Sequence, residues 1–377
     1  MDIFKNVLSL IIPEPVVENF FGSSETNNYN DETKCNDINI NYPNTAAIAS
    51  LDINKAGPET IIQYTENRTK TEKVAKTLSH YPLRDFYIKT AYNCCAVGAF
   101  KKDYVDICAL KNAIKQGCRC LDFEIYSVND KPVIATSSAK TNYIKESRNY
   151  IPLEKAMSVV ANESFNTPSP CPFDPMILHF RIKSENRKIY ATISDIINRN
   201  FTKTKLPKKF GREYNDKNLG DIPIKQLRGK IIISVDKTNS YFEDTSLDEY
   251  VNICSNSMFM RLHRDYDIKY IQDFSELTDY NKTAMSFVLP DISANPDNTN
   301  PVVALKYGCQ FVAMNLQNND ENMKYYTKFF NDYGSALVLK PKHLRKIDKL
   351  VELPPLQDPS LSYADREVKD QHYDLRI

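Results

Sequence analysis

The chain has 377 residues, which is long for one ordinary domain but typical of a single α/β barrel with tails. Its 49 Lys and Arg residues balance 48 Asp and Glu residues, so no global field attracts nucleic acid or an anionic membrane. Hydrophobic residues make up 42% of the chain, and no apolar run approaches the roughly 20 residues needed to span a bilayer. We therefore expect a soluble or peripheral protein without nucleic-acid partners, whose membrane contact is at most weak.

The cysteines indicate the compartment. There are nine, an odd number, and none forms a C-x-x-C pair. This pattern is typical of reduced, buried thiols in a cytosol-like compartment rather than of a disulfide scaffold or a zinc site. We expect no metal, no cofactor and a cytoplasmic or virion-associated protein that is not secreted. Heavy use of Asn, Ile, Lys and Tyr, with only 9 Gly and no Trp, suggests an A/T-rich genome such as that of a protist or a large DNA virus.

Residues 1–80 are predicted to form an N-terminal arm. The apolar stretch at 7–12 ends too early for a secretory signal, whose apolar region usually runs to about 7 to 15 residues behind a basic start. A second apolar patch contains Phe20 and Phe21 and precedes a long polar run. We interpret the segment as an apolar anchoring peptide followed by a flexible arm; a plain disordered terminus is the alternative.

From residue 81 onward, strands and helices are predicted to alternate. Strands are predicted at 86–88, 120–125, 133–134, 177–180 and 231–235, and helices at 105–115, 153–162 and 189–197. This alternation favours a parallel sheet, closed or open, with right-handed crossovers. Residues 237–246 are mostly polar and predict a loop between two halves, the second starting at 247. A last strand is predicted at 336–339, and residues 347–377 predict an extended C-terminal tail.

Five short motifs follow one another along the chain. They are residues 90–94 (TAYNC), 117–124 (GCRCLDFE), 132–138 (PVIATSS), 226–233 (QLRGKIII) and 308–315 (GCQFVAMN). In order and spacing they resemble the phosphoinositide-specific phospholipase C family. The resemblance covers roughly residues 81–346. It implies a TIM-type (β/α)8 barrel, with an X-like half over 81–236, a Y-like half over 247–346 and extended arms at both ends.

The resemblance implies ancestry among enzymes that cleave phosphoinositides with two histidines and a calcium ion. The place of the first histidine is Tyr92, ahead of a retained Asn93, and the second lies in a turn that reads Thr136, Ser137, Ser138. A tyrosine with a pKa near ~10 and a serine without a base cannot replace an imidazole near ~6.5 at neutral pH. Each positioned acid or base contributes typically ~10² to 10⁴-fold, so the loss of both predicts no useful turnover.

The calcium ligands implied by the resemblance are altered as well. Asn93 is kept, and Asp122 and Glu124 are acidic residues on one strand face. The remaining acidic ligand has become Arg181, whose guanidinium repels a divalent ion. We expect Arg181 to pair with Asp122 or Glu124 and to fill the place of the cation, with a weak surviving cation site as the lesser alternative. His179 shares the strand face of Arg181 and can face the barrel interior, with a catalytic role as the lesser alternative.

Recognition of the inositol headgroup is predicted to be lost too. The two lysines, the serine, the arginine and the tyrosine that the family uses are replaced, in chain order, by Ser234, Asp236, Asp273, Phe287 and Leu289. A phosphorylated inositol needs cationic and fork-like donors around it. Because this pocket is predicted to offer two carboxylates instead, binding of the ordinary substrate is disfavoured as well as its cleavage.

Three hypotheses of function follow. The first is a catalytically inactive phospholipase C-like barrel that serves as a structural or binding module in a larger assembly, such as a virion, and contacts other proteins through its N- and C-terminal arms. The second is an active phosphodiesterase with altered chemistry that uses Asp122, Glu124 or His179. The third is a non-catalytic peripheral lipid binder that inserts its N-terminal apolar peptide weakly into a bilayer.

Overall fold

The computed structural model describes residues 78–139, 144–166, 169–212, 218–347 and 367–376. The predicted N-terminal arm therefore lies outside the described residues, apart from its last three. The chain divides into two compact units, Met1–Lys346 and Ile347–Ile377. No helix in the described ranges is long and apolar enough to cross a bilayer.

Strands of the first unit build a barrel. They are β1 (Phe86–Ala91), β2 (Cys120–Val128), β3 (Lys131–Ile134), β4 (Ile151–Pro152), β5 (Met176–Lys183), β6 (Ile231–Asp236), β7 (Ile253–Ser255), β8 (Met260–Arg264), β9 (Met285–Leu289), β10 (Phe311–Met314) and β11 (Leu337–Leu339). Eight of them are parallel neighbours in the order β7-β6-β5-β2-β1-β10-β9-β8. With helices between the strands, this is a nearly closed (β/α)8 barrel of the TIM type, and the predicted fold is confirmed.

Helices connect the strands. They are α1 (Ile107–Lys115), α2 (Leu153–Glu163), α3 (Arg187–Asn200), α4 (Ile224–Leu227), α5 (Asp265–Lys269), α6 (Phe274–Thr283), α7 (Pro301–Lys306) and α8 (Glu321–Tyr333). Short 3-10 turns lie at Leu83–Asp85, Lys208–Phe210, Leu219–Asp221, Asp248–Tyr250 and Lys342–Leu344. Of the helices just given, five begin at an Asp or Asn whose side chain accepts a backbone N–H of the first turn: Asp106, Asn186, Asp273, Asn300 and Asp320.

The parallel register sets residues of neighbouring strands side by side inside the barrel. Asp122 of β2 lies beside His179 of β5, which in turn lies beside Ser234 of β6. Two residues further along, Glu124 lies beside Arg181. Because side chains alternate between the two faces of a strand, these residues form successive interior layers near the carboxyl ends of the strands.

A buried glutamine fastens the opposite end of the barrel. Gln310, in the GCQ motif before β10, donates from Nε2 to the carbonyl oxygens of Arg84, Asn281 and Ala284 at 2.8, 3.0 and 2.9 Å. Its Oε1 accepts the backbone N–H of Ser286 at 2.8 Å. One side chain therefore satisfies four backbone groups where the loops enter β1 and β9, which explains why a glutamine follows the glycine and cysteine of this motif.

The last strand of the barrel unit is antiparallel, whereas the sequence predicted a parallel sheet. β11 pairs antiparallel with β1, with Phe86 opposite Leu339 and Ile88 opposite Leu337. β10 pairs with β1 only from Ile88 onward. The first half of the β1 edge is therefore left free, and the chain returning from α8 covers it in the reverse direction.

The C-terminal unit contains strands where an extended tail was predicted. β12 (Glu367–Lys369) and β13 (Asp374–Arg376) pair antiparallel. The chain reverses at a short turn in which the N–H of Asp370 donates to the carbonyl oxygen of Tyr373 at 2.9 Å. Most of the extended tail predicted over residues 347–377 lies outside the described residues, and within 367–376 the opposite charges across the two strands support their pairing.

One cysteine also departs from the expectation. Cys108 is disulfide-bonded, so the prediction that the cysteines are reduced was wrong at this position. The seven free cysteines of the described ranges are all buried. A search for C-x-x-C pairs detects only local partners, and the pairing of distant cysteines cannot be deduced from spacing.

Candidate functional site

A buried guanidinium joins three elements at the carboxyl end of the barrel. Arg181 of β5 donates from Nε to Asp122 Oδ1 at 3.0 Å and from Nη2 to Asp122 Oδ2 at 2.8 Å. Its Nη1 donates to Glu124 Oε1 at 3.1 Å, and Nη2 also donates to Asn93 Oδ1 at 2.7 Å. The predicted pairing of Arg181 is confirmed, and it involves both carboxylates rather than one of them.

These charges are shielded from water. Asp122 is 0% exposed, Arg181 2% and Glu124 3%. Burial alone would raise the pKa of Asp122, but the Arg181 charge and hydrogen bonds from His179 and Arg181 hold it well below its usual value. Burial likewise opposes the charged guanidinium, yet the facing carboxylates, Asp122 foremost, raise the pKa of Arg181. The pair is therefore ionised at neutral pH.

Backbone amides complete the coordination of the two carboxylates. The N–H of Asn93, a residue held at a φ of 39°, donates to Asp122 Oδ2 at 3.1 Å. The N–H of Ser137 donates to Glu124 Oε2 at 3.2 Å. Because the carboxylate oxygens already accept hydrogen bonds from guanidinium and amide groups, little acceptor capacity remains for another ligand.

Tyr92, at the place of the first family histidine, supports the guanidinium. The Arg181 guanidinium carbon lies 4.7 Å from the centroid of the Tyr92 ring, which is a cation–π contact. The Tyr92 ring also makes a T-shaped contact with the Phe100 ring, with centroids 5.6 Å apart. Tyr92 therefore presents its face to a cation and packs in the core.

His179 lies in the middle of a hydrogen-bonded chain. Its Nδ1 is 2.7 Å from Asp122 Oδ1, and its Nε2 is 2.9 Å from Ser255 Oγ at the end of β7. Its ring stacks on Phe287 with centroids 4.3 Å apart. The prediction that His179 faces the interior is confirmed. Ser255 was not predicted, although it lies two residues after Ile253 on one face of β7, a spacing that indicates the same orientation.

Ser138, in the turn that replaces the second histidine motif, is held by a carboxylate. Glu146 accepts the N–H of Ser138 at 2.7 Å and its hydroxyl at 2.5 Å, and also the hydroxyl of Ser137 at 3.2 Å. Lys101 Nζ lies 2.9 Å from the other oxygen of Glu146. Although burial raises it, the hydrogen bonds from Ser138 and Lys101 lower the pKa of Glu146 to about 2.

Two loops are tied together over this end of the barrel. Thr136 Oγ1 donates to the carbonyl oxygen of Phe100 at 3.0 Å. The N–H groups of Glu146 and Lys102 donate to the carbonyl oxygens of Thr136 and Glu146 at 2.8 and 3.0 Å. Residues 94–98 and Phe100 are buried beneath this network. We call the covering segments, residues 101–106, 136–139 and 144–150, the lid, and it explains why the cluster beneath it is closed to water.

The residues predicted for headgroup recognition do not form one pocket. Ser234 is fully buried in β6, and its hydroxyl has no hydrogen-bond partner within the described ranges. Asp236 accepts hydrogen bonds from Thr238 and from Asn256 Nδ2, the latter at 3.0 Å. Asp273 caps α6 by accepting the N–H of the residue three positions on. These contacts give Asp236 and Asp273 local structural roles.

Phe287 and Leu289 are both 0% exposed in β9, just before Pro290. They stand where the resemblance implies a headgroup-binding arginine and tyrosine. Each is an apolar core side chain in the barrel, and Phe287 supports the ring of His179. Neither offers a hydrogen-bond donor to a phosphate.

The residues present do not fit the calcium ion that the resemblance implies. Calcium takes six to eight oxygen ligands at about 2.3–2.6 Å. Here the oxygens of Asn93, Asp122 and Glu124 converge on guanidinium nitrogens at 2.7 to 3.1 Å instead. Among the residues that the structure describes, no group of three or more His, Cys, Asp or Glu side chains could hold a metal ion.

Two family descriptions match this chain. They are phosphatidylinositol-specific phospholipase C, X domain, at residues 79–237, and phosphatidylinositol-specific phospholipase C, Y domain, at residues 236–343. No curated protein sequence matches.

Solved structures show a related fold. The crystal structure of L. pealei PLC21 has a TM-score of 0.60 and 18% identity, over 72% of this chain and 39% of that one. S. officinalis PLC21 has a TM-score of 0.60 and 19% identity, over 72% of this chain and 38% of that one. This chain therefore spans less than half the length of these relatives. With both X and Y domains matched in order over a barrel of the same architecture, the chain belongs to the phosphatidylinositol-specific phospholipase C family.

Proposed function

We propose that the chain is a catalytically inactive phospholipase C-like barrel that serves as a structural or binding module in a larger assembly, such as a virion. The observation that carries the proposal is the buried Arg181 guanidinium bound by Asn93, Asp122 and Glu124. A permanent side-chain cation is thus bound by the residues that the resemblance implies as calcium ligands. The carboxylates are therefore used to stabilise the barrel.

The positions of the acid and the base support the same proposal. Tyr92 packs its ring against Arg181, and Ser138 is bound to the Glu146 carboxylate, so neither is paired with a group that would activate it. Asn93, Asp122 and Arg181 are each less than a tenth exposed beneath the lid. A phosphodiester must come within hydrogen-bond distance of a general base to react, and this closed end offers no such approach.

The proposed partners are other proteins of the assembly, contacted through the N- and C-terminal arms, and the proposed location is cytoplasmic or within a virion. Near-neutral net charge supports protein partners over nucleic acid. The lipid-binding alternative keeps a short apolar N-terminal segment as its support, and a single short segment predicts only marginal membrane affinity.

Release of water-soluble inositol phosphate from vesicles of mixed phosphoinositides tests the proposal. The full chain is assayed with calcium and with a chelator, beside an active calcium-dependent phospholipase C as the positive control. We expect no release above the uncatalysed rate in either condition. Turnover by the full chain that disappears in an Asp122→Asn variant would overturn the proposal.

A second candidate, an active phosphodiesterase with altered chemistry, is favoured by one arrangement. Ser255, His179 and Asp122 are hydrogen-bonded in the order by which a serine nucleophile is activated. All three side chains are 0% exposed, which argues for a core hydrogen-bond network instead. A fluorophosphonate probe separates the readings: labelling of the full chain that is lost in Ser255→Ala would favour the enzyme, and no labelling supports the structural role.

A further inference from the structure

The C-terminal hairpin has a regular arrangement of charge. Its facing pairs are Glu367 with Arg376, Val368 with Leu375, and Lys369 with Asp374. The two polar pairs are ion pairs, at 3.4 Å between Arg376 and Glu367 and 3.2 Å between Lys369 and Asp374. Each strand therefore reads as one charge, one apolar residue and the opposite charge. Side-chain alternation sets the apolar pair on one face and the ion pairs on the other.

This hairpin is poorly protected in isolation. Residues 367–376 are all exposed, and the large apolar side chains Val368, Tyr373 and Leu375 are 39%, 50% and 49% exposed. A two-stranded hairpin alone in water is marginally stable at best, and a further strand or an apolar surface is needed to stabilise it. The unit therefore has the chemistry of a segment that is completed by a partner.

The outer edge of β13 is ready for pairing. The N–H of Asp370 donates to Tyr373 O across the turn, so these two residues form a hydrogen-bonded pair. Hydrogen-bonded and non-hydrogen-bonded pairs alternate along an antiparallel ladder. Asp374 and Arg376 therefore direct their backbone N–H and C=O groups away from β12, toward the open edge, while Leu375 directs its own toward β12.

We propose that β13 pairs antiparallel with β13 of a second copy of this chain, about a two-fold axis at Leu375. In this register Asp374 lies opposite Arg376 of the second copy and Arg376 lies opposite Asp374 of the second copy. The outward backbone groups of the same residues form the hydrogen bonds, and the two Leu375 side chains meet at the axis. A strand with acid, apolar residue and base in order is complementary to its own reverse, as a two-fold interface requires.

Self-pairing through β13 would supply one of the contacts of the proposed assembly. The biological use of this pairing rests on the proposed function, whereas the pairing itself does not. A three-residue edge buries much less surface than a standard protein interface, so the contact between two isolated chains is weak. In an array of many copies the same contact gains strength from multivalency. Self-association tests the pairing of β13, and release of inositol phosphate tests the proposed function. Because the two assays are separate, either proposal can fail without the other.

Two charge-exchange variants of the full chain test the register. Lys369→Glu with Asp374→Arg makes β12 wholly acidic and β13 wholly basic, whereas Glu367→Arg with Arg376→Glu does the reverse. Both variants keep opposite charges across every internal pair of the hairpin and leave the net charge unchanged. Each alone opposes like charges in a β13–β13 contact, but an equal mixture of the two restores opposite charges.

Sedimentation velocity over a range of concentrations measures the outcome. We expect reversible dimers of the natural chain, a dissociation constant at least about tenfold higher for each variant alone, and recovery in the mixture. Natural chain that stays monomeric at the highest concentration overturns the proposal. So do variants that dimerise as well as the natural chain, or a mixture that fails to recover.

Disulfide trapping locates the strand edge. Residues of a non-hydrogen-bonded antiparallel pair have Cα atoms about 4.5 Å apart, within the range of a disulfide. Leu375→Cys should therefore form a dimer under mild oxidation, while the matched variant Val368→Cys, on the other strand, should stay monomeric. Trapping of Val368→Cys without trapping of Leu375→Cys would show that the other edge associates and would refute pairing through β13.

Discussion

Replacement of Arg181 by methionine is the most direct perturbation of the barrel cluster. Methionine keeps an unbranched apolar stem and removes the guanidinium that Asn93, Asp122 and Glu124 surround. Two carboxylates, 0% and 3% exposed, are then left without their counter-charge. Removal of one partner from a buried ion pair typically costs about 3–5 kcal/mol. We expect the free energy of unfolding at pH 7 to fall by this amount, as measured by urea denaturation.

The pH dependence supplies a second readout of the same variant. In the natural chain the folded-state pKa of Asp122 is depressed. Its stabilising contribution is therefore present above the unfolded value of about 3.9 and is lost as the pH falls through the lower folded value. Without Arg181, burial raises that pKa, and protonation relieves the isolated charge. The deficit of Arg181→Met should therefore shrink as the pH falls from 7 toward about 4.

An exposed ion pair provides the matched control. Arg199 of α3 lies 2.5 Å from Glu154, with side chains 63% and 48% exposed. Arg199→Met removes the same guanidinium from a solvated pair and should change the free energy of unfolding by less than about 0.5 kcal/mol. If Arg181→Met costs under about 1 kcal/mol at pH 7, or if its deficit grows in acid, the carboxylates do not depend on Arg181 and the electrostatic reasoning is refuted.

Three further predictions test other parts of the barrel. Gln310→Ala removes four hydrogen bonds to backbone groups, of which the Asn281 carbonyl keeps a second side-chain donor, Lys340, and should lower the free energy of unfolding by about 3 kcal/mol in urea. Gln310→Glu should lower it too because a carboxylate cannot donate. Glu146→Ala should speed hydrogen exchange of the Ser138 amide at least about tenfold with little change in global stability, and unchanged exchange would contradict the lid. Burial lowers the pKa of Lys340 to about 7, so the folded chain binds fewer protons than the unfolded chain between pH 7 and about 10; the free energy of unfolding should rise with pH there, and Lys340→Met should flatten that rise.

The sequence predicts the local rules of the site well. Asp122 and Glu124 are two apart on one strand, as are His179 and Arg181 on the next, so each pair must share a face. Opposite charges on neighbouring parallel strands then predict the pairing that the structure contains. These inferences depend only on strand periodicity and the order of β2 and β5, which the alternation of strands and helices already implies.

Contacts set by long-range closure could not be predicted in this way. Ser255 follows His179 by 76 residues in the chain, and the two meet only because the barrel places β7 beside β6. Glu146 reaches Ser138 because the loop after β3 folds back over its own start. Such partners depend on how far a loop travels before it returns, and neither propensity nor periodicity specifies that distance.

The exchange of a metal ion for a guanidinium has consequences for the barrel as a building block. Carboxylates that bind calcium repel one another until the ion is bound, so the stability of such a barrel depends on the calcium concentration. The end of the barrel that holds them must also stay open to the ion. Arg181 supplies the counter-charge from the chain itself, and closure by the lid then incurs no loss of ligand access. On the proposed function, such a barrel uses its exposed segments for contacts instead. Because strand β13 belongs to the other compact unit, substitution of Arg181 should lower the stability of the barrel without changing self-association through β13.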